Sequence, residues 1–445
     1  MKNPIQVIAC RAGQVAICVL ATLTLLPPRA ARADAPSTQS SSTLQNAGTA
    51  VDNYMNHNAP ILPVSGNDGN TLELEPGGYG IPVTGAAAAG AGAAGATSTT
   101  APATLPAGPE AKKGEWLIAP LPNYSPTFGW GIIGRLGYIF PLDPKDKVSP
   151  PSIAGVFGYY SQNDSWAAGA FSKFFVDEDR YRITAGLVHA ELNYDFSGIG
   201  TAAGESGQSV PLHQEMTGGI FETLFKVAPN LYVGPKYIGS KMNINFPSGE
   251  PNSSVTIPGN EINTVSSGLG VHAQWDTRDS QFFPRKGNLA DVDISFHDPA
   301  IGDSFAYQVY TLSYNQYFSL SPRQIVAVRG FAQFENGNVP FYALSKFGRG
   351  SDLRGYTVGQ FQDKQMFAVQ AEYRLEITRR IGAVAFGGVG EVMPSISSMT
   401  FDSLLPSGGV GLRYVLAEQN HVAIRFDVAW GRDGSQFYLT VGEAF

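Results

Sequence analysis

Long two-residue alternation of apolar and polar side chains is the feature that most constrains the fold of this chain. The odd positions of 367–378 carry Phe, Val, Ala, Tyr, Leu and Ile, and the even ones carry Ala, Gln, Glu, Arg, Glu and Thr. Because successive side chains of a β-strand point to opposite faces, this pattern predicts a strand with one apolar and one polar face. The same alternation recurs in 265–276, 290–296 and 421–430.

Alternation alone fits a soluble β-sandwich as well as a membrane β-barrel. The alternating segments are about ten residues or longer, as in barrels, whereas strands in globular proteins average roughly five or six. No helical period is long enough to cover a sheet, and a spanning sheet has to close because every strand edge in a bilayer must be paired. Aromatic residues near predicted strand ends are typical of an interfacial girdle: Tyr159, Tyr160, Trp166, Tyr194, Tyr232, Tyr317, Phe318 and Phe437.

We therefore predict an all-β protein, a closed antiparallel transmembrane β-barrel of about 16 strands within residues 114–445. The first eight strands are placed at 115–123, 127–140, 152–162, 165–177, 180–197, 213–227, 230–247 and 262–277. The second eight are placed at 287–298, 303–319, 323–335, 365–378, 381–393, 407–417, 420–431 and 435–445.

Composition and charge exclude other classes of protein. After the N-terminal region no run of about 18 apolar residues exists to span a bilayer as a helix. The formal net charge of −7 and a pI near 5.4 argue against a nucleic-acid partner, which requires a basic field. A helical channel and a DNA-binding protein are therefore both excluded.

The first 33 residues have the features of a secretory signal peptide. Lys2 and Arg11 provide a positive start, an apolar core covers 14–26, and 31–33 read Ala-Arg-Ala, a cleavage pattern. We expect export to the outer membrane of a Gram-negative cell. Both cysteines, Cys10 and Cys18, lie in the removed segment, so the mature chain is expected to have no disulfide and no thiolate metal site.

Residues 34–113 are rich in Ala, Gly, Ser, Thr and Pro and contain few charges. Such a segment buries too little apolar surface to offset the entropy lost on ordering, so we predict that it is disordered. A G-x-G-x-x-G match at 90–95 has no preceding strand and is attributed to composition. No cofactor is predicted.

Short motifs follow one another along the predicted barrel. They are Trp-Asp-Thr-Arg-Asp at 275–279, Phe-Pro-Arg-Lys-Gly at 283–287, Leu-Arg-Gly-Tyr at 353–356, Glu-Tyr-Arg at 372–374, Gly-Val-Gly-Leu-Arg at 409–413, Arg-Phe-Asp at 425–427 and the final Phe445. In this order they resemble the bacterial surface-antigen barrel superfamily, which includes the assembly barrel BamA, the translocation module TamA and the two-partner secretion pores. The resemblance covers about 114–445.

The resemblance implies a role for each motif. Arg354, Gly355 and Tyr356 would form the tip of the sixth extracellular loop, folded back into the lumen, where Arg354 contacts Glu372 and an aspartate on the thirteenth strand. That aspartate position is Gly388 here. Either Glu391 substitutes through a bulge, or the loop uses other partners.

The remaining motifs would organise the hairpin and the end of the barrel. The expected hairpin residues are Asp276, Arg278, Asp279, Pro284 and Gly287. Phe445 would belong to the signal that the barrel-assembly machinery recognises, although Thr440 and Glu443 depart from the usual pattern.

Relatives normally carry periplasmic polypeptide-transport-associated domains, which capture client chains. Residues 34–113 lack paired strand and helix patterns, so we expect a barrel-only member. Client assembly would then require separate periplasmic partners.

Four functional classes stay open. The leading one is a barrel-only relative of the assembly barrels, acting in outer-membrane organisation or in the passage of lipid or a small substrate. The others are a protein inserter or secretion pore with periplasmic partners, a passive structural barrel or diffusion pore, and an outer-membrane enzyme.

An enzyme is disfavoured because neither G-x-S-x-G nor H-E-x-x-H occurs. His189, His272 and His421 fall singly on predicted strands, where a structural, hydrogen-bonded role is expected.

The first strand contains Pro120 and Pro122, which cannot donate ladder hydrogen bonds. Glu443 places a charge near the other side of the junction between the first and last strands. The resemblance implies a weak seam between these two strands, and with these residues we expect that it opens laterally toward lipid.

Overall fold

The computed structural model describes residues 115–445, except 144, 147, 248–261, 281–282 and 418–421. The predicted signal peptide and the low-complexity segment lie outside the described residues. The described chain forms a closed barrel of 16 antiparallel strands, which confirms the predicted fold class. Consecutive barrel strands pair with each other, and the last strand returns to the first.

The barrel strands have the following bounds. They are β1 (Glu115–Ser125), β2 (Gly129–Phe140), β3 (Ser152–Ser161), β4 (Trp166–Val176), β5 (Tyr181–Phe196), β6 (Val210–Ala228), β7 (Leu231–Asn245), β8 (Asn263–Asp276), β9 (Gly287–His297), β10 (Tyr307–Ser321), β11 (Gln324–Gly337), β14 (Gln365–Glu376), β15 (Ile381–Met393), β16 (Leu405–Ala417), β17 (Val422–Gly431) and β18 (Gly434–Val441).

Short elements occupy the connections. A two-stranded sheet of β12 (Ser345–Lys346) and β13 (Gln362–Asp363) lies between β11 and β14. One short helix, α1, covers Thr201–Glu205, and 3-10 turns cover Pro299–Ile301, Phe341–Ala343, Ile396–Ser398 and Phe401–Ser403. In the described part of the chain, no helix is both long and apolar enough to cross a membrane.

The two largest departures from the predicted strand bounds have local reasons. The tenth strand begins at Tyr307 and not at 303, because Asp303 instead closes the preceding turn by accepting hydrogen bonds from the amides of Ser267 and Phe305. The last strand ends at Val441 and not at 445. Gly442 adopts a φ of +98°, a conformation that favours glycine, and this turns the chain out of the strand.

Alternate side chains of the strands face the lumen and the outer surface of the barrel. On β14, Gln370, Glu372 and Arg374 are buried in the lumen, whereas Val369 and Tyr373 are exposed on the outer face. An apolar belt outside and polar groups inside are the pattern of an outer-membrane barrel. Aromatic residues exposed on this outer face include Trp130, Tyr160, Trp275, Phe296, Phe318, Tyr414 and Trp430. Four residues predicted for the girdle are instead buried, because they lie on the inward-facing positions of their strands: Tyr159, Tyr194, Tyr232 and Tyr317.

The connection 338–364 between β11 and β14 folds into the lumen and packs against the wall. Most of its side chains are buried, and the apolar side chains of Phe347, Leu353 and Phe361 are among those completely inaccessible to solvent. They pack in one apolar cluster with Met366 on β14 and other wall residues. We refer to residues 338–364 as the plug loop.

The junction between β1 and β18, called the seam here, is the least extensive pairing of the barrel. Among the described residues, Tyr124 and Leu439 are its single aligned pair, whereas β17 and β18 align over 8 pairs and β1 and β2 over 11. The ring of Tyr124 stacks on Phe437 across the seam, with ring centroids 3.8 Å apart. Side-chain stacking therefore supplements a short backbone ladder.

Candidate functional site

Arg354 lies at the tip of the plug loop and is completely buried. The next residue, Gly355, has a φ of +110°, and its amide donates a hydrogen bond of 2.9 Å to the hydroxyl of Tyr438 on β18. A Cβ atom at this position would lie 2.9 Å from Ser407 Oγ and 3.1 Å from the Gly431 nitrogen. Glycine is thus required both for the backbone conformation and for the close approach of the loop to the wall.

Two carboxylates on different strands bind the Arg354 guanidinium. Its Nη2 atom donates to Glu372 on β14, and its Nη1 atom donates to Asp427 on β17 at 2.5 Å. Its Nε atom lies 3.3 Å from Gln370 Oε1, and the guanidinium stacks 3.4 Å from the ring centroid of Phe386. A buried guanidinium whose N–H groups donate to carboxylates is held firmly in one position.

The second carboxylate differs from the one that the resemblance implied. The thirteenth barrel strand, β15, presents Gly388, and a Cβ atom there would lie 2.5 Å from Leu353 Cδ1 and 2.3 Å from the Val369 carbonyl oxygen. The plug loop occupies the space of the missing aspartate side chain. Glu391 does not substitute: its Oε1 accepts a 3.3 Å hydrogen bond from the Thr400 amide. Asp427 takes this role instead.

The ion pairs extend along the wall beyond Arg354. Arg374 Nε lies 2.7 Å from Glu372 Oε1, and Arg413 donates to Asp427 at 2.6 Å and to Glu443 at 2.8 Å. Arg425 Nε lies 3.5 Å from Asp427 Oδ2. These side chains are at least nine-tenths buried, so each charge depends on its neighbours for stabilisation. The alternation placed Arg425 and Asp427 on a polar face, but it did not indicate that Asp427 binds the loop.

Tyr356 holds the other side of the loop tip. Its hydroxyl donates a 2.6 Å hydrogen bond to the Pro406 carbonyl and accepts one of 3.1 Å from the Arg432 amide. Its ring meets those of Phe347 and Phe361 edge-on. The structure thus brings the four predicted loop-docking residues to one wall of the barrel. Arg354 pairs directly with Glu372, whereas Gly355 and Tyr356 contact neighbouring strands of that wall.

The predicted hairpin residues form a separate set of contacts at the opposite end of the barrel. Arg278 makes two 3.0 Å hydrogen bonds to Asp276, through Nε and Nη2. Asp279 Oδ1 accepts from the amides of Arg285 at 2.9 Å and Lys286 at 3.3 Å. These bonds close the turn between β8 and β9.

Pro284 and Gly287 complete that hairpin. Pro284 is buried, and Gly287 has a φ of +96°. A Cβ atom at Gly287 would lie 2.2 Å from the Thr277 carbonyl oxygen, so the strand entry requires glycine. Arg285 pairs with Glu376, which connects the hairpin to the end of β14.

Phe445 is buried and packs with Tyr317 and Ala327 on β10 and β11. Its carbonyl oxygen accepts a 2.6 Å hydrogen bond from Arg374 Nη2. The residue therefore contacts the same arginine that pairs with Glu372. Its recognition by the assembly machinery stays a prediction.

These features agree with comparisons with known proteins. The profile of the Omp85 superfamily domain matches residues 160–445. The chain belongs to the Omp85 superfamily. A search of curated protein sequences gave no match.

Solved structures share the Omp85 barrel fold. BamA from Haemophilus ducreyi lacking POTRA domains 1-3 is similar with a TM-score of 0.52 at 14% identity, over 74% of this chain and 70% of that one. CdiB from Acinetobacter baumannii has a TM-score of 0.51 at 14% identity, over 74% and 60%. CdiB from Escherichia coli has a TM-score of 0.51 at 11% identity, over 74% and 67%.

Proposed function

We propose that this Omp85 barrel mediates the passage or insertion of lipid or polypeptide at the seam between β1 and β18, while the plug loop keeps the lumen closed. The observation that carries the proposal is the single aligned pair, Tyr124 with Leu439, at the one junction that closes the barrel. The proposed activity needs no covalent chemistry, and we propose that the protein is not an enzyme.

The free energy needed to separate two strands depends on the backbone hydrogen bonds that are lost in lipid. Each unsatisfied backbone group in the bilayer core costs several kcal/mol, so a long ladder resists separation. β1 has prolines at positions 120 and 122, which lack the N–H donor. Separating β1 from β18 therefore breaks fewer backbone hydrogen bonds than separating two strands that are paired along their whole length.

The plug loop makes an open diffusion pore the weaker alternative. Arg354 and the apolar side chains around Leu353 and Phe361 pack inside the lumen, and ion pairs to β14 and β17 hold the loop tip. Water and solutes need a continuous path, which the docked loop interrupts. A passive structural barrel is the other alternative, and it predicts that the seam never opens.

The partners of the proposed activity follow from this location. Outer-membrane lipid contacts the apolar outer face, and the barrel-assembly machinery would act during biogenesis. Periplasmic partner proteins would deliver clients if the substrate is a polypeptide. The acidic chain offers no basic field for nucleic acid.

A reversible crosslink across the seam tests the proposal. The double variant Tyr124→Cys/Leu439→Cys places two cysteines at the aligned pair, in a mature chain predicted to have no other cysteine. A matched control, Phe426→Cys/Leu439→Cys, crosslinks β17 to β18 instead.

Both variants are assayed in liposomes for transbilayer movement of a fluorescent phospholipid and for insertion of an unfolded outer-membrane barrel. We expect oxidation to abolish at least one activity in the seam variant, and reduction to restore it, with no change in the control. Equal activity of the oxidised and reduced seam variant would contradict lateral opening and favour a passive barrel.

A further inference from the structure

A second cluster of charged side chains lies in the lumen wall formed by β6, β7, β8 and β9, half a barrel away from the seam. His272 on β8 is its centre and is buried. Its Nδ1 atom lies 2.7 Å from Glu222 Oε2 on β6, and its Nε2 atom lies 3.1 Å from Asp291 Oδ1 on β9. Asp293, also on β9, is aligned with His272 across the ladder.

We propose that Glu222, His272 and Asp293 bind a divalent transition-metal cation, for which Zn²⁺ is the probe. One imidazole nitrogen and one oxygen from each carboxylate all lie within 4.8 Å of one another. Nitrogen and carboxylate oxygen ligands bind zinc at about 2.0–2.2 Å, so neighbouring ligands of one ion stand roughly 3–3.5 Å apart. The three ligand atoms would move closer together by side-chain rotation to reach that spacing when the ion binds.

Asp291 supplies the independent observation that favours a metal. A histidine that binds a metal through one ring nitrogen commonly donates its other N–H to a carboxylate, which fixes the tautomer. Asp291 stands in that position at His272 Nε2, and Gln274 Nε2 orients it with a 2.9 Å hydrogen bond. Without an ion, Nδ1 donates its proton to Glu222 Oε2. Metal binding would release that proton, and the Nε2–H bond to Asp291 would then keep the tautomer whose Nδ1 lone pair binds the ion.

The second oxygen of Asp291 strengthens this interpretation. Asp291 Oδ2 is buried without a hydrogen-bond partner, in a side chain that is only 3% exposed. A buried, unpaired carboxylate oxygen is costly unless a nearby positive charge stabilises it. A dication bound at His272 Nδ1 would offset part of that charge from the other side of the imidazole ring.

Lys236 is the main competitor for the carboxylates. Its ammonium pairs with Oδ2 of Asp293 and leaves Oδ1 of that carboxylate for the ion. Three carboxylates, those of Glu222, Asp291 and Asp293, face Lys236 and the imidazole, and Lys173 also interacts electrostatically with Glu222. The partly exposed Asp293 faces the lumen, from which an ion would enter.

A bound ion would connect β6, β8 and β9 on the wall opposite the seam. Metal binding stabilises the folded state to which the preorganised ligands belong. This wall would then stay rigid while the seam opens. The inference does not depend on the proposed function, because a passive barrel can hold the same ion.

Calorimetric titration with Zn²⁺ tests the site in the full mature chain, refolded in detergent and stripped with a chelator. We expect one saturating equivalent in the wild type and a rise in its thermal unfolding midpoint. His272→Gln should lose at least tenfold in affinity, and Asp291→Asn about 10–100-fold, as for partners of metal-binding histidines.

The matched control is His189→Gln, because His189 Nδ1 contacts the hydroxyl of Thr217 and no carboxylate. This variant should bind Zn²⁺ like the wild type. Circular dichroism verifies that each variant folds, and Asp293→Asn carries the same prediction should His272→Gln not fold. Absence of saturable binding, or equal binding by the wild type and the ligand variants, would overturn the proposal.

Discussion

Arg354 Nη1 and Asp427 Oδ2 lie 2.5 Å apart in the lumen, although 73 positions separate the two residues in the sequence. Arg354 belongs to the plug loop, and Asp427 belongs to β17, the strand next to the last one. Glu372 on β14 binds the same guanidinium from the other side. One arginine therefore connects the plug loop to two strands on the seam side of the barrel.

Removing Arg354 should destabilise the barrel strongly. Both carboxylates that it pairs are inaccessible to solvent, and deleting one partner of a buried ion pair costs about 3–5 kcal/mol. We expect Arg354→Ala and Asp427→Asn each to lower the free energy of unfolding measured in urea. The double variant should lose less of this free energy than the sum of the two single losses. Arg180→Ala, in an exposed pair with Asp177, should change it by less than about 1 kcal/mol. Additive effects of the two buried substitutions would show that the pair is not coupled.

Gly388 should tolerate no side chain, because the plug loop packs against it. A Cβ atom would meet Leu353 Cδ1 and the Val369 carbonyl oxygen well inside contact distance. Gly388→Ala is expected to cost about 1–3 kcal/mol of unfolding free energy through overpacking. Gly330→Ala on β11 is the control, since a Cβ atom there has no neighbour within 4 Å. A stability of Gly388→Ala equal to that of the control would contradict the loop packing.

Asp303, in the connection between β9 and β10, should make stability depend on pH. Burial alone would raise the pKa of Asp303. Hydrogen bonds to its carboxylate outweigh burial and lower the pKa below its usual range; they come from His297, the amides of Phe305 and Ser267 and the hydroxyl of Ser266.

The sign of the pH effect follows from that lowered pKa. The stabilisation by Asp303 is present above the unfolded-state pKa of about 3.9 and decreases as the pH falls toward the lower folded-state pKa. Urea unfolding midpoints measured from neutral to acidic pH should therefore fall less steeply in Asp303→Asn than in the wild type. Parallel curves for the two proteins would refute this role of Asp303.

The architecture was predictable because period-two alternation is clear in several long strands, such as β5 and β14. It placed Glu372 and Arg374 in the lumen, where the structure has them. The resemblance of the Leu-Arg-Gly-Tyr motif added the folded-back loop. These inferences depend only on local pattern and motif order.

Contacts across the lumen were not predictable in this way. The pairing of Arg354 with Asp427 depends on how far the wall curves and on the space that Leu353 takes beside Gly388. The sequence predicted only that His272 lies on a strand without another histidine beside it. Its contacts with Glu222 and Asp291 depend on the register of β6, β8 and β9, which alternation does not specify.

Single-channel conductance in planar bilayers tests most directly the claim that the plug loop closes the lumen. The refolded wild type is compared with Arg354→Ala, and Arg285→Ala serves as a matched arginine control because it pairs with Glu376 at the hairpin end. We predict small or flickering conductance for the wild type and the control, and larger openings when Arg354 no longer holds the loop. Steady, porin-like conductance of equal size in all three proteins would contradict the account.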